Sequence, residues 1–563
     1  MSDRFRRVLA VSLAVALAAS LLGLTACAKT EEGGGEGGGE EVMKGGTFKF
    51  YINEPAFIDP YNGQESEGVQ VIQAVFDSLV QFDPITGEIM PAAADSWEAN
   101  DDASVWTFHL NEDATFHDGT PVTAADFKYA WERIANPETE SEIAYHLAPV
   151  KGFDAMQAGE ATELEGVTAV DDYTLQVELT APMADFQYVV GHPALAPVPK
   201  DLVENGVEYN GETVDYSEMP VGNGPFMLTE PWAHDQYIKV AAYDGYYGDM
   251  PNIDGIDFLI FKDEETAFLE FEAGNLDFTS IPTERFADTK ATYGESPDGY
   301  TANPGEQVLT GAETAIYYML INNNDPLLGE NKALRQALSL AIDRQEISDK
   351  IFEGTRDPAV GVVPPGIVGY EGADWPYSKY DPDEAARLLE EAGFPNGEGL
   401  DPIKIQFNSG SGHEEIMELI QEDLAALGIE SELEGFEWAQ YLDLLFTDAS
   451  YQIARLGWIA DYPTLDNFTY PLFYSTSSDN YCFYNNPEVD EALDNARTIV
   501  DDDERIAEYQ RIQKMIGEDV PVIPIMYYKH GRVASDRVHD GVFSPMGLFD
   551  FQNVWLSEAQ AAE

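Results

Sequence analysis

A chain of 563 residues, 44% hydrophobic and 12% aromatic, is too long for one ordinary core and apolar enough to fill two or three lobes, which excludes general disorder. Asp and Glu number 103 against 30 Lys and Arg, a formal net charge of -73 that repels phosphates and excludes nucleic acid as a partner. The same excess suits a well-solvated surface and life in high salt alike.

At the N-terminus, Arg4, Arg6 and Arg7 precede an apolar run from Val8 to Leu24, followed by Leu24-Thr25-Ala26-Cys27. A basic start, an apolar stretch and small residues before a cut site define a secretory signal over residues 1–27. The run is short for a membrane span. A cysteine directly after the cut resembles the bacterial lipobox. Cys27 is therefore expected to carry lipid and to hold the chain extracytoplasmically, at the outer face of a bacterial cytoplasmic membrane or in a periplasm. Residues 28–44, which include the run Gly33-Gly34-Gly35-Glu36-Gly37-Gly38-Gly39, read as a flexible tether. With Cys27 in the export segment, Cys482 is the thiol left to the mature fold, and no internal disulfide is expected.

Along the folded part, Thr47–Tyr51 reads as a first strand. Gln70–Val80 reads as a helix with Val71, Val75 and Leu79 on one stripe. Trp106–Leu110 alternates, as a half-buried strand does. His117–Pro121 is a turn. Thr123 opens a helix with Asp126 at capping-box spacing and an apolar stripe of Phe127, Ala130, Trp131 and Ile134. Leu175–Leu179 alternates again. Ala333–Ile342 is helical. A second helix starts at Asp381-Pro382 and stops at Gly393. Ile403–Phe407 is a strand, and His413–Leu427 a helix ended by Gly428. Strands and helices mix throughout, which fits α/β lobes.

Catalytic constellations are hard to find. There is no Walker-type phosphate loop, no GxSxG elbow and no HExxH. Ser409-Gly410-Ser411-Gly412 lacks the leading glycine of an elbow. Glu414 and Glu415 suit a first helical turn. The eight histidines show no ligand spacing, so no structural metal is expected. The reading is not an enzyme and no cofactor.

Five blocks in order then carry a resemblance. They are Phe76–Val80 through Phe116–Thr123 to Trp131; Gly222–Phe226 with Tyr246-Tyr247; Leu334–Arg344; Arg455–Tyr462; and Val522–Tyr528. Together, from about Gly45 to Glu563, they resemble the extracytoplasmic solute-binding proteins of ATP-driven importers, family 5, in the oligopeptide- and dipeptide-binding branch. The resemblance implies an α/β, two-lobed periplasmic-binding-protein-like fold of class II type with an additional inserted domain. Residues 45–76, 195–275 and 530–563 would form the first lobe, 77–194 the insertion and 276–529 the second lobe, closing on ligand like a hinge.

It also implies the chemistry. Asp461 stands where the family holds a peptide's free α-amino group. Arg455 stands beside the peptide and would pair with Asp461 when the site is empty. His413 matches a position that meets the peptide's carboxylate, with an ordinary pKa that would make the contact pH-sensitive. Gln64, Glu65 and Ser66 on one lobe, with Gly457 and Ile459 on the other, would offer backbone bonds to an extended peptide. Trp458 would wall a side-chain pocket or serve the core. The expected partners are a peptide and the membrane permease subunits of an ABC-type importer, whose own ATPases use the ATP; the chain itself is expected to be a monomer. Another solute on the same fold (a nickel chelate, sugar or haem), a surface hydrolase, and a chaperone-like or adhesive role remain as alternatives.

Overall fold

The computed structural model describes residues 42–557 apart from 373–374, 410–411, 438–439, 442–443, 446–449 and 478. The export signal, Cys27 and most of the tether lie outside the described residues. Residues from Met43 onward form one unit, and the description below concerns that unit. Among the described residues, no helix is long and apolar enough to cross a membrane.

Two sheets organise it. The first has seven strands, in the order Phe226–Leu228, Tyr237–Ala242, Gly255–Ile260, Thr47–Ile52, Phe278–Ser280, Arg532–Ala534 and Val308–Leu309. Thr47–Ile52 runs parallel to Gly255–Ile260 and to Phe278–Ser280. Its alternate residues Phe48 and Phe50 point into an aromatic cluster with Phe258, Phe278, Phe549 and Phe551, the rings tilted or edge-on at 4.7–5.9 Å in most pairs. Such pairs add about 0.5–1.5 kcal/mol each beyond the area they bury.

The second sheet has six strands, in the order Asp357–Pro358, Val522–Lys529, Ala312–Ile321, Ile453–Ile459, Ile403–Asn408 and Ser431–Phe436. Its central strand, Ala312–Ile321, is buried on both faces. Ile316, Tyr318 and Leu320 enter one apolar core, and Tyr317, Met319 and Ile321 enter another. A strand covered on both faces has no polar alternation, so this one is absent from the elements expected above.

The chain passes between the two sheets twice, from Leu309 to Ala312 and from Lys529 to Arg532. Residues 278–280 and 308–309 pair in the first sheet, whereas the division at 276 assigns them to the second lobe; strands of two or three residues show no periodicity to read. The two crossovers clasp each other. The Gly311 N–H donates to His530 Nε2 at 3.0 Å and the His530 N–H to the Gly311 carbonyl at 3.2 Å.

The stretch 77–194 carries its own four-stranded sheet, Ala94–Ala99, Val105–Leu110, Thr174–Glu178 and Val167–Asp171. Beside it lies the helix Ala124–Ala135, where the Asp126 carboxylate accepts the Thr123 N–H at 2.8 Å. It shares one continuous apolar core with the first lobe. It is also fastened to the second lobe by a buried ion pair, Asp185 with Arg505 at 3.1 Å, and by the Ala184 N–H on the Arg497 carbonyl at 2.8 Å. The helix expected at 70–80 occupies Ser66–Val75 instead. Glu65 caps it, and it ends early because the Val75 carbonyl is taken by the Gly224 N–H at 2.9 Å.

The charge excess has a measurable consequence. Like charges crowd a folded surface more than an unfolded chain, so screening should stabilise the fold. Going from about 0.1 M to about 1 M NaCl shortens the Debye length from about 10 Å to about 3 Å. The melting temperature is expected to rise over that range; a fall would mean that the exposed ion pairs outweigh the self-repulsion of a net -73.

Candidate ligand-binding site

A cleft of about 720 Å³ lies where both lobes and the inserted stretch meet. Gln64, Glu65 and Ser66 line it from the first lobe, Ile459, Ala460 and Asp461 from the second, and Phe82, Tyr145 and His192 from the insertion. Five of the expected residues are thus brought together: Gln64, Glu65, Ser66, Ile459 and Asp461. Ile459 is 71% exposed, a large apolar side chain left open on the cleft wall.

Glu65 is positioned by its own side chain, which accepts the Ala56 N–H at 2.8 Å and the Gly68 N–H at 3.0 Å. Its carboxylate is therefore committed to capping the helix Ser66–Val75. Its carbonyl in turn accepts the Val69 N–H at 3.0 Å.

Asp461 follows the strand Ile453–Ile459. Oδ1 accepts the Tyr145 hydroxyl at 3.1 Å, and Oδ2 accepts Asn467 Nδ2 at 3.1 Å. No cation lies within ion-pair distance of it among the described residues. Burial raises its carboxyl above the usual carboxylate range, against the Asn467 and Tyr145 hydrogen bonds that lower it. The neighbouring rings of His146 and His192 lie tilted against each other, 4.5 Å between centres. Burial pushes them down to about 4 and about 3, so they are neutral at pH 7 and supply no counter-charge. The site is a half-satisfied carboxylate in a low-dielectric wall, suited to a ligand cation.

Strand alternation explains the rest. Ala454, Leu456 and Trp458 point to one face and pack on a second-lobe core, while Arg455, Gly457 and Ile459 share the other. Trp458 does not line the cleft. Its Nε1 donates to Asn467 Oδ1 at 3.0 Å, the same side chain that holds Asp461. Of its two expected roles, the indole fills the packing one and positions the carboxylate indirectly.

Arg455 does not pair with Asp461. Six residues of mostly extended chain separate the two by about 20 Å at 3.3 Å per residue. Its Nη1 donates to Asn408 Oδ1 at 3.2 Å and its Nη2 to the Tyr528 hydroxyl at 3.1 Å, with the guanidinium 4.6 Å from the Tyr317 ring centre and Nε buried without an acceptor. Gly457 sits beside it; a Cβ there would stand 3.5 Å from the Tyr528 hydroxyl and 3.8 Å from Arg455 Nη2. His413 joins this group through Nδ1, 3.2 Å from the Tyr317 hydroxyl. Burial and the Arg455 charge push it down to about 4. The pH sensitivity expected near neutrality is therefore removed: the ring stays uncharged there.

Tyr145, Asn467, Tyr317, Tyr528 and Asn408 were not expected at the site. Tyr528 ends one of the five blocks; the others stand in no block or beyond one, where the sequence offered no signal.

Residues 88–480 match the family described as bacterial extracellular solute-binding proteins, family 5, middle. The chain belongs to that family. It is 28% identical over 562 residues to the dipeptide-binding protein DppE of Bacillus subtilis, covering 98% of this chain and 99% of the relative. It is 31% identical over 505 residues to the periplasmic oligopeptide-binding protein OppA of Escherichia coli, covering 86% and 88%. Among solved structures, the periplasmic murein tripeptide-binding protein MppA in its unliganded open form superposes with a TM-score of 0.80 at 28% identity, over 92% of this chain and 98% of that one. The two-lobed α/β fold of family 5 is thus this chain's fold, and its class is that of extracellular solute-binding proteins.

Proposed function

We propose that this family 5 protein captures oligopeptides in extended form by their free N-terminus and delivers them to the permease of an ABC-type importer, while lipid on Cys27 keeps it at the membrane. The observation that supports this reading is Asp461, a half-buried carboxylate with no cation in ion-pair distance among the described residues, lining the same cleft as Gln64–Ser66. Every peptide presents the same α-ammonium, so one fixed carboxylate serves all sequences. The surrounding strands and loops would bond the peptide backbone without reading side chains. The names of the relatives, dipeptide- and oligopeptide-binding proteins, support the same solute class.

Arg455, His413 and Gly457 would lie farther along the same peptide. Ile459 would cover the segment next to its amino end. No cofactor is required, and nucleic acid is no partner for so acidic a surface.

The test is direct. Protein purified without denaturation is then unfolded, and the released small molecules are analysed by mass spectrometry. Short peptides with unmodified N-termini are expected. Recovery of sugars, metal chelates or haem alone would end the peptide reading.

A further inference from the structure

A second, smaller cavity of about 180 Å³ adjoins the cleft, and Ser66 and Glu67 line both. It lies at the carboxyl ends of the parallel strands Thr47–Ile52 and Phe278–Ser280, the edge of an α/β sheet where ligands gather. Arg532, the first residue after the second crossover, lines it as well.

Arg532 is an unusual cation. The chain has 103 acidic side chains for 30 basic ones, yet no carboxylate lies within ion-pair distance of Arg532 among the described residues. Its Nη1 donates to Ser280 Oγ, and its guanidinium lies 4.9 Å from the Phe543 ring centre. Nε is buried without an acceptor, and among the described residues no acceptor is bonded to Nη2. The free edge, Nε with Nη2, is one of the two that grip a carboxylate with paired parallel bonds. Thr279, which lines the same cavity and is 1% exposed, has a hydroxyl that is likewise unpartnered.

The charges around the cavity are arranged in depth. Glu264 is exposed at the rim. Glu67 is half-buried and already accepts Asn53 Nδ2 at 2.9 Å. Behind it His530 is pushed down to about 3, by burial first, so it stays uncharged, and Arg532 is the cation that lines the cavity. An unpaired buried donor costs about 1–3 kcal/mol, a cost that an incoming acceptor removes.

We propose that Arg532, with Thr279 and Ser280, forms a carboxylate-reading subsite on the first lobe that takes an acidic group of the bound peptide, either its C-terminus or an acidic side chain. The inference rests on the peptide reading of the cleft and adds a second charged anchor to it. Asp461 meets the amino end from the second lobe, and Arg532 meets an acid from the first. A peptide gripped at both would hold the two lobes together, which a neutral ligand of the same length would do less well.

The test uses the whole purified chain, stripped of ligand, and calorimetry with alanine peptides of three to six residues. Each is offered as free acid, as C-terminal amide, and as an amide with glutamate in the last position. At one length or more, amidation is expected to weaken wild-type binding at least about tenfold. In Arg532→Gln that penalty should fall below about twofold, and Arg532→Lys should keep part of it, since a point charge lacks the fork. If the glutamate amide regains affinity in wild type but not in Arg532→Gln, the side-chain acid is the group read; without such recovery it is the chain end. A gain from an acid, whether the free terminus or the glutamate, that is equal in wild type and Arg532→Gln, or absent at every length, overturns the subsite and leaves the peptide reading standing. If no peptide binds the wild type at all, the peptide reading falls and the subsite with it. Thermal melts of both variants separate lost binding from lost fold, and Thr279→Val, which removes only the hydroxyl, should lower the penalty less than Arg532→Gln does.

Discussion

Asp461→Asn is expected to weaken peptide binding by about 2–5 kcal/mol, the scale for removing one partner of a buried charge pair. Asparagine preserves size and can still accept the Tyr145 hydroxyl, while it loses the charge and, with its amide facing Asn467 Nδ2, that bond as well. N-acetylation of the peptide removes the other member of the pair. In wild type it should cost a similar amount; in Asp461→Asn it should cost almost nothing more, because the interaction is already gone. Calorimetry on the four combinations measures this, and equal acetylation penalties in both proteins would remove Asp461 from the binding site. The same pair predicts a pH effect. Burial raises the empty-state carboxyl, and an ammonium favours its ionised form. Affinity should therefore be full well above that raised value and decline as pH falls through it.

Asp466→Asn should destabilise the fold by about 3–5 kcal/mol. Asp466 is 0% exposed and accepts four bonds: Arg497 Nε at 3.0 Å and Nη2 at 3.1 Å, the Tyr509 hydroxyl at 2.7 Å and the Tyr462 hydroxyl at 2.8 Å. Asparagine leaves the Arg497 charge buried and uncompensated. The check is the urea midpoint with an unchanged slope; a midpoint within error of wild type would show that the network stores little. Burial alone would raise this carboxyl, but the Arg497 charge and the hydrogen bonds outweigh it and hold it below the usual carboxylate range. Its stabilisation is therefore fully present above the unfolded-state pKa of about 3.9 and is lost as pH falls through the lower, folded value.

How far the sequence could be read follows from what each element buries. Val105–Leu110 and Thr174–Glu178 cover one face and alternate, so both were visible. The helices Lys332–Ala341, Pro382–Glu391 and His413–Ala426 have stripes and stops, and were visible too. Ala312–Ile321 is central and apolar on both faces, and it hid for that reason. The candidate site was legible where a contiguous block held it, from Arg455 to Asp461. It was illegible where distant chain segments converge. Nothing near Tyr145 announces that its hydroxyl meets a carboxylate 316 residues away. The expected Arg455–Asp461 pair failed on strand geometry alone, a test that needs only the rise per residue.

The Asp185–Arg505 pair has a mechanical consequence. A plate held at two points still swings about the line through them, whereas a third fastening off that line locks it. The second lobe is held at the two crossovers and, through the insertion, at this buried pair with both side chains 3% exposed. Any swing of that lobe must keep Asp185 and Arg505 on its axis or pull a desolvated ion pair apart, at about 3–5 kcal/mol. The pair thus limits the swing about the two short links to one that leaves it in place, and so prescribes a direction of travel that neither sheet defines by itself.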